Sequence, residues 1–249
     1  MRESRAKKAE RVTTVLRLLK ETYPDAKPEL DFNSPFELLI ATMLSAQCTD
    51  KQVNKTTAVL FPKYGTPEAF AALTEDELAP YIKGCGLYKT KGKNIIAASR
   101  ILLAEYGGEV PNDRDALTKL PGVGRKTANV VVSNAFGTPA IAVDTHVFRV
   151  ANRIGLADAK DVLHTEEQLM QNIPKEEWSI AHHWLIFHGR RCCSARNPKC
   201  EGCSVREYCM ENLKNQKKQK QEGKYMQFVD KAKIIIKAGD GGDGCASFH

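Results

Sequence analysis

From Phe36 to Leu44 the apolar side chains Phe36, Leu39, Ile40, Met43 and Leu44 recur at i, i+3, i+4, i+7 and i+8, the spacing of one helix face. Ser34-Pro35-Phe36-Glu37 reads as a capping box with proline at the first helical position. The same period predicts helices over residues 68–73, 75–83, 90–106, 113–119, 125–136, 145–154, 165–173 and 177–188. Gly107, Gly137, Gly155 and Gly189 stand where left-handed C-terminal caps belong. No long alternating run marks a sheet before residue 225, so the pattern predicts an all-α protein with short loops.

The period stops at residues 214–224, KNQKKQKQEGK, which read as a polar, lysine-rich linker. Beyond it, residues 228–236 have the composition of a strand, and a glycine-rich stretch follows. Some twenty residues cannot bury a core of their own. Residues 226–249 resemble the start of the glycine-rich N-terminal domain of Obg-type GTPases. They are therefore expected to be a gene-boundary addition that is disordered in solution.

Composition narrows the class only a little. A hydrophobic content of 42% and a charged content of 27% are ordinary for a globular chain. No apolar run approaches the ~20 residues of a membrane helix, and MRESRAKKAER lacks the apolar segment of a secretory signal. The cytoplasm is the expected compartment. The net charge of +7 suggests a polyanionic partner, but residues 214–224 supply +4 of it. Only the placement of charge can decide that point.

Chemistry concentrates in four places. In LPGVGRKTANV a helix, a Pro-Gly-Val-Gly turn and a second helix follow one another. Such a turn is expected to aim the N–H groups of Gly122, Val123 and Gly124 at an anion, and a DNA phosphate would fit there. A plain αα-turn has the same spacing. A nucleotide phosphate loop needs lysine directly after glycine; Arg125 intervenes before Lys126. In AVDTHVFRVANRIG the stripe Val147, Val150, Ala151 and Ile154 puts Asp144 at a helix N-cap. It is either a structural cap or a carboxylate partner for a cation.

Cys193, Cys200, Cys203 and Cys209 form Cys-x6-Cys-x2-Cys-x5-Cys, with Cys192 a rival first member. In a reducing compartment such a cluster points to a metal centre, and the spacing alone fits Zn²⁺ and iron–sulfur equally. Gln47 in LSAQCTD falls where a core residue is expected, and Leu87 in GLYKTKGKN follows two loop glycines. Each is a frayed or tucked end, or a wedge for distorted DNA. His182, His183 and His188 read as packing or surface groups.

Taken together, FELLIATMLSAQCTD, GLYKTKGKNI, LPGVGRKTANVVV, AVDTHVFRV and the cysteine spacing, all in one order over residues 5–213, resemble the endonuclease III family of helix-hairpin-helix DNA glycosylases and AP lyases. The resemblance implies two helical domains with a DNA cleft between them. One spans about 28–138 and carries the hairpin at about 113–132; the other joins 1–27 to 139–213 and holds a [4Fe–4S] cluster. It implies Lys126 as nucleophile and Asp144 as catalytic carboxylate. Gln47, Leu87, Gly122, Val123, Gly124, Arg125 and His146 become DNA contacts, and Cys193, Cys200, Cys203 and Cys209 the cluster ligands. The implied substrate is double-stranded DNA with oxidised pyrimidines or abasic sites, handled by a monomer in the bacterial cytosol.

Related adenine glycosylases have serine, and some mismatch thymine glycosylases tyrosine, at the position of Lys126. Lysine implies the branch that also cuts the strand. A non-catalytic hairpin module and a monofunctional mismatch glycosylase are the competing readings. Chemistry sets one requirement: near neutral pH only about one ordinary lysine in a thousand is neutral, a deficit of about 4 kcal/mol. A helix N-terminus supplies about 0.3–1 kcal/mol. Desolvation has to supply most of the rest.

Overall fold

The computed structural model describes residues 3–226, and the strand and tail expected from residue 227 onward lie outside them. The described residues are helical, without strands. In chain order the α-helices are α1 (Arg5–Thr22), α2 (Pro35–Leu44), α3 (Asp50–Tyr64), α4 (Pro67–Ala71), α5 (Glu75–Ile82) and α6 (Tyr88–Tyr106). They continue as α7 (Arg114–Leu117), α8 (Arg125–Phe136), α9 (Thr145–Ile154), α10 (Val162–Asn172), α11 (Trp178–Arg191) and α12 (Met210–Met226). The chain divides into a unit of residues 1–212 and a second of 213–249.

Within the first unit the buried apolar residues form two clusters. One runs from Phe36 to Ala142 and is built by α2 to α8. The other joins Val12, Val15, Leu16 and Leu19 of α1 to residues of α9, α10 and α11. Helix α2 sits inside the first cluster. Its residues Phe36 to Leu44 are all buried, so the apolar stripe read from the sequence is only part of a helix enclosed all round. Helix α9 keeps a one-sided stripe, with Val147, Val150, Ala151 and Ile154 buried as expected.

Several boundaries differ for identifiable reasons. Ser34 caps α2 by accepting from the Glu37 N–H, but the Glu37 carboxylate reaches back to the Asn33 N–H (2.6 Å) instead of completing the box on Ser34. A full capping box occurs at Thr74 and Glu77. Helices α1 and α3 escaped the periodic reading; Ser4 and Thr49 cap them. Gly107, Gly137 and Gly155 are left-handed caps as expected.

Gly189 is not a cap. Helix α11 passes through it, because a Cβ there would stand 3.1 Å from His146 Cβ and Val150 Cγ2. Glycine lets α9 and α11 cross closely. Residues 214–224, expected as a linker, continue α12; lysine, glutamine and glutamate are good helix formers even without an apolar face.

Candidate active site and metal centre

The hairpin is formed by α7, the turn Pro121–Gly124 and α8. Asp113 caps α7 by accepting from the Ala116 N–H (2.6 Å). Gly122 has φ +76, and a Cβ on it would meet Asn94 Nδ2 at 2.8 Å, so conformation and space both require glycine. Val123 departs from expectation. Its N–H donates to Leu120 O (3.1 Å) and its side chain is buried, so it anchors the turn. Gly124 is the N-cap of α8 and offers no side-chain cap, which leaves the first N–H groups of that helix open to an external acceptor.

Lys126 lies on the first turn of α8, half-buried. It borders a narrow cavity also lined by Asp144, Asp50, His182 and Arg190. Burial pulls its pKa below the ordinary lysine value, while the carboxylates of Asp144 and Asp50 pull it back up. Desolvation is thus the leading influence on Lys126, as the energetics required.

Asp144 caps α9: its Oδ1 accepts from the Val147 N–H at 2.7 Å. Its second oxygen has no partner among the described residues and remains available. His182 Nδ1 sits 2.6 Å from Ala142 O, and burial holds its pKa well below the ordinary histidine value. It is therefore a neutral wall of the cavity.

Asp50 and Arg190 were not singled out by the sequence. Asp50 opens α3, and its Oδ2 accepts from Arg190 Nη2 at 2.8 Å. Burial raises the Asp50 carboxyl and the nearby Lys126 charge lowers it. Arg190 also pairs with Glu29. These residues are shared with a wider groove that includes His146 and Cys48.

Arg125 has a different engagement from the DNA contact expected of it. Its Nε and Nη2 bind both oxygens of Glu166 at 2.9 Å, and Glu166 on α10 is only 3% exposed. This pair ties the start of α8 to the second cluster.

Gln47 and Leu87 share an unusual backbone. They are the only non-glycine residues with positive φ among those described, at +55 and +47. Both are exposed, Leu87 by 60%. Gln47 does not extend α2; it sits in a turn closed by the Cys48 N–H on Ser45 O (3.0 Å). Non-glycine residues held in this region store strain of about 1–3 kcal/mol and gather at functional sites.

The cysteine loop begins at the end of α11 and is clamped from α9. Arg149 Nε and Nη2 donate to Cys193 O at 3.1 and 3.0 Å. Arg153 Nη1 donates to Ser194 O at 2.8 Å and reaches Cys193 Sγ at 3.6 Å. Cys193 is buried, Cys203 and Cys209 half-buried and Cys200 exposed, all as free thiols. Burial pushes the Cys203 thiol up to about 12 and raises Cys209, so metal binding there must release protons.

Among the described residues, His188, Cys192 and Cys203 form a ligand-like group whose ligand atoms lie within 4.8 Å of one another. His188, read as a packing or surface group, is buried beside the loop, where its Nδ1 donates or accepts at Tyr23 Oη (3.0 Å). Exposed Arg196 and Lys199 lie on the same loop. Several cysteine sulfurs on one clamped loop suit a soft thiolate-bound cluster.

Comparison with known proteins agrees with this arrangement. Residues 40–175 match the HhH-GPD superfamily of base excision DNA repair proteins, and residues 193–209 the iron-sulfur binding domain of endonuclease III. The chain is 54% identical to endonuclease III of Bacillus subtilis over 199 residues, covering 80% of this chain and 91% of that protein. It is 53% identical to endonuclease III of Escherichia coli K12 over 202 residues, 81% and 95% of the two chains. A solved structure of a trapped endonuclease III–DNA covalent intermediate superposes with a TM-score of 0.79 at 52% identity, covering 84% of this chain and 98% of that one. The cofactor of the cysteine loop is a [4Fe–4S] cluster. The chain belongs to the endonuclease III family of helix-hairpin-helix base excision DNA repair enzymes.

Proposed function

We propose that this chain excises oxidised pyrimidines from double-stranded DNA and then cuts the strand at the resulting abasic site, with Lys126 as nucleophile. The observation that carries the reading is the enclosure of Lys126 on the first turn of α8 beside Asp144 and Asp50, where burial lowers its pKa. A lysine so placed has a larger neutral fraction than one in water. The two carboxylates supply the opposite charge that a developing sugar cation needs.

In the proposed sequence the duplex bends, the damaged nucleotide leaves the stack, and Gln47 and Leu87 fill the gap. Open N–H groups at the start of α8 hold one phosphate without reading sequence. The Lys126 Nζ lone pair forms a bond to C1′ as the C1′–base bond breaks. The unpartnered oxygen of Asp144 stabilises positive charge on the sugar and moves protons. The attached nitrogen then loses a proton, its lone pair forms the C=N bond as the C1′–O4′ bond breaks, and O4′ takes up a proton. Protonated at nitrogen, the open-chain Schiff base acidifies the C2′ proton. Its loss drives β-elimination, which breaks the C3′–O bond to the 3′ phosphate.

Cys193, Cys200, Cys203 and Cys209 hold the cluster, whose chemistry here is to fix the loop that presents Arg196 and Lys199 to phosphates. On this reading the lobes are residues 28–138 and residues 1–27 with 139–213; the division of the buried apolar residues into two clusters supports it. The active form is a monomer in the cytosol; among the described residues no helix is long and apolar enough to cross a membrane.

Borohydride reduction in the presence of a duplex containing thymine glycol tests the reading. A covalent protein–DNA adduct is expected, together with strand cleavage. Base release without adduct would establish a monofunctional glycosylase, and salt-sensitive binding with neither product a non-catalytic hairpin protein.

A further inference from the structure

Beneath the two left-handed positions lies a buried charge with no carboxylate partner. Lys91, on the first turn of α6, is only 6% exposed. Its Nζ donates to Leu44 O at 2.8 Å and to Cys85 O at 2.6 Å. Leu44 is the last residue of α2, three before Gln47; Cys85 ends a 3-10 turn, two before Leu87. The backbone N–H of Lys91 donates to Leu87 O at 3.0 Å. The nearby groups are thiols: Cys48 and Cys85 both face the ammonium, and Cys85 Sγ in turn meets Thr56 Oγ1 at 3.4 Å.

The electrostatics explain why a lysine is tolerated there. Carbonyls at the ends of helical turns carry partial negative charge and favour a cation. Two such ends converge on one ammonium, and charge-assisted hydrogen bonds are among the stronger ones. No other contact among the described residues joins the Gln47 turn to the Leu87 loop through a single charged atom.

We propose that Lys91 is a positioning residue for damage recognition: its ammonium clasps the two loop ends so that Gln47 and Leu87 are presented together, already in their strained conformations, to the gap in the duplex. This rests on the gap-filling role of Gln47 and Leu87. The clasp holds the wedges before DNA arrives, so the ordering is not charged against binding. Lys91 has no part in the bond-making at Lys126.

The test is a double-mutant cycle on the full chain with its cluster. Binding is measured to a duplex carrying a tetrahydrofuran abasic analogue and to its undamaged counterpart. Lys91→Met keeps the aliphatic stem and removes the donors; Lys91→Leu, likewise without a donor, serves in the same role where Lys91→Met does not fold. In the native background the lesion preference is expected to fall about tenfold. In a Gln47→Ala/Leu87→Ala background the same change is expected to have less than a twofold effect, roughly the additive error of independent sites.

Adduct formation at saturating DNA should stay unchanged in Lys91→Met. An equal loss in both backgrounds, or no loss in the native one, overturns the proposal and assigns Lys91 to general stability. If Gln47→Ala/Leu87→Ala leaves lesion preference intact, gap filling itself fails and the Lys91 role falls with it. The two failures are distinguishable by which arm is silent.

Discussion

In the proposed mechanism the Lys126 cavity and the Gln47–Leu87 pair have opposite physical tasks, and the fold builds them in opposite ways. At the cavity the need is to remove water from an ammonium. The fold meets it by bringing α3, α8, α9 and α11 around one side chain. At the wedges the need is to keep a side chain in water until a duplex arrives. The fold meets it by exposing Leu87 and fixing its backbone at φ +47. On this proposal chemistry is assembled from many elements, while DNA distortion is placed on two short turns. Loss of function should therefore look different at the two places.

The widest separation comes from Lys126→Ala. Adduct formation and strand cleavage should fall by about a thousandfold or more, whereas affinity for the abasic-analogue duplex stays near native. A large loss of affinity instead would make Lys126 a binding residue. Cys193→Ala should abolish the visible absorption of the cluster and lower both affinity and folding yield. Cys192→Ala should spare the absorption. The reverse pattern would move the first ligand to Cys192, which the proximity of Cys192, Cys203 and His188 makes a fair contest.

Arg125→Ala leaves the Glu166 carboxylate buried without its partner. Because the guanidinium is partly exposed, we expect a loss of about 1–3 kcal/mol in denaturant unfolding, at the low end for such pairs. Restoration by the added change Glu166→Gln would confirm the origin of the loss. Loss of DNA affinity with unchanged stability would return Arg125 to the DNA contacts. Leu87→Ala should weaken binding to damaged DNA about tenfold or less and leave the rate at saturation intact.

The smallest effect is the most diagnostic of the cavity. A neutral amine attacks, so the rate should rise with pH through the Lys126 pKa, which burial places below the ordinary lysine value. The Asp50 carboxylate raises that pKa. Asp50→Asn should therefore shift the rising limb toward lower pH. A shift to higher pH, measured in single-turnover cleavage, would contradict the assignment of charges.

Much of this was legible where a signal is local. The hairpin, the Asp144 cap and the cysteine spacing each sit within one short segment; the structure forms the helix–turn–helix and the Asp144 N-cap as read, and puts the cysteines on one loop. The left-handed backbone at Gln47 and Leu87 was not legible, since no glycine or asparagine marks it. Asp50, Arg190 and Lys91 were missed for a related reason. Each is a single polar residue on a helix, and its meaning comes only from partners many residues away. Gly189 was misread because a glycine near a helix end has two uses, a left-handed cap or a close crossing. Only the presence of α9 decides between them.

Arg125 shows the same limit on the functional side. The resemblance implies a DNA contact for it, and its ion-pair partner Glu166, forty-one residues on, emerges only from the fold. Clusters of like residues reveal a metal centre, but isolated charges reveal a site only after folding.

The central claim is that Lys126, and no other amine, forms the covalent bond to the sugar. Borohydride-reduced adduct from a thymine glycol duplex, digested with nuclease and protease, can be mapped by tandem mass spectrometry. The account predicts the deoxyribose remnant on Nζ of Lys126. A remnant on the N-terminal amine, on Lys91 or on any other lysine would contradict it.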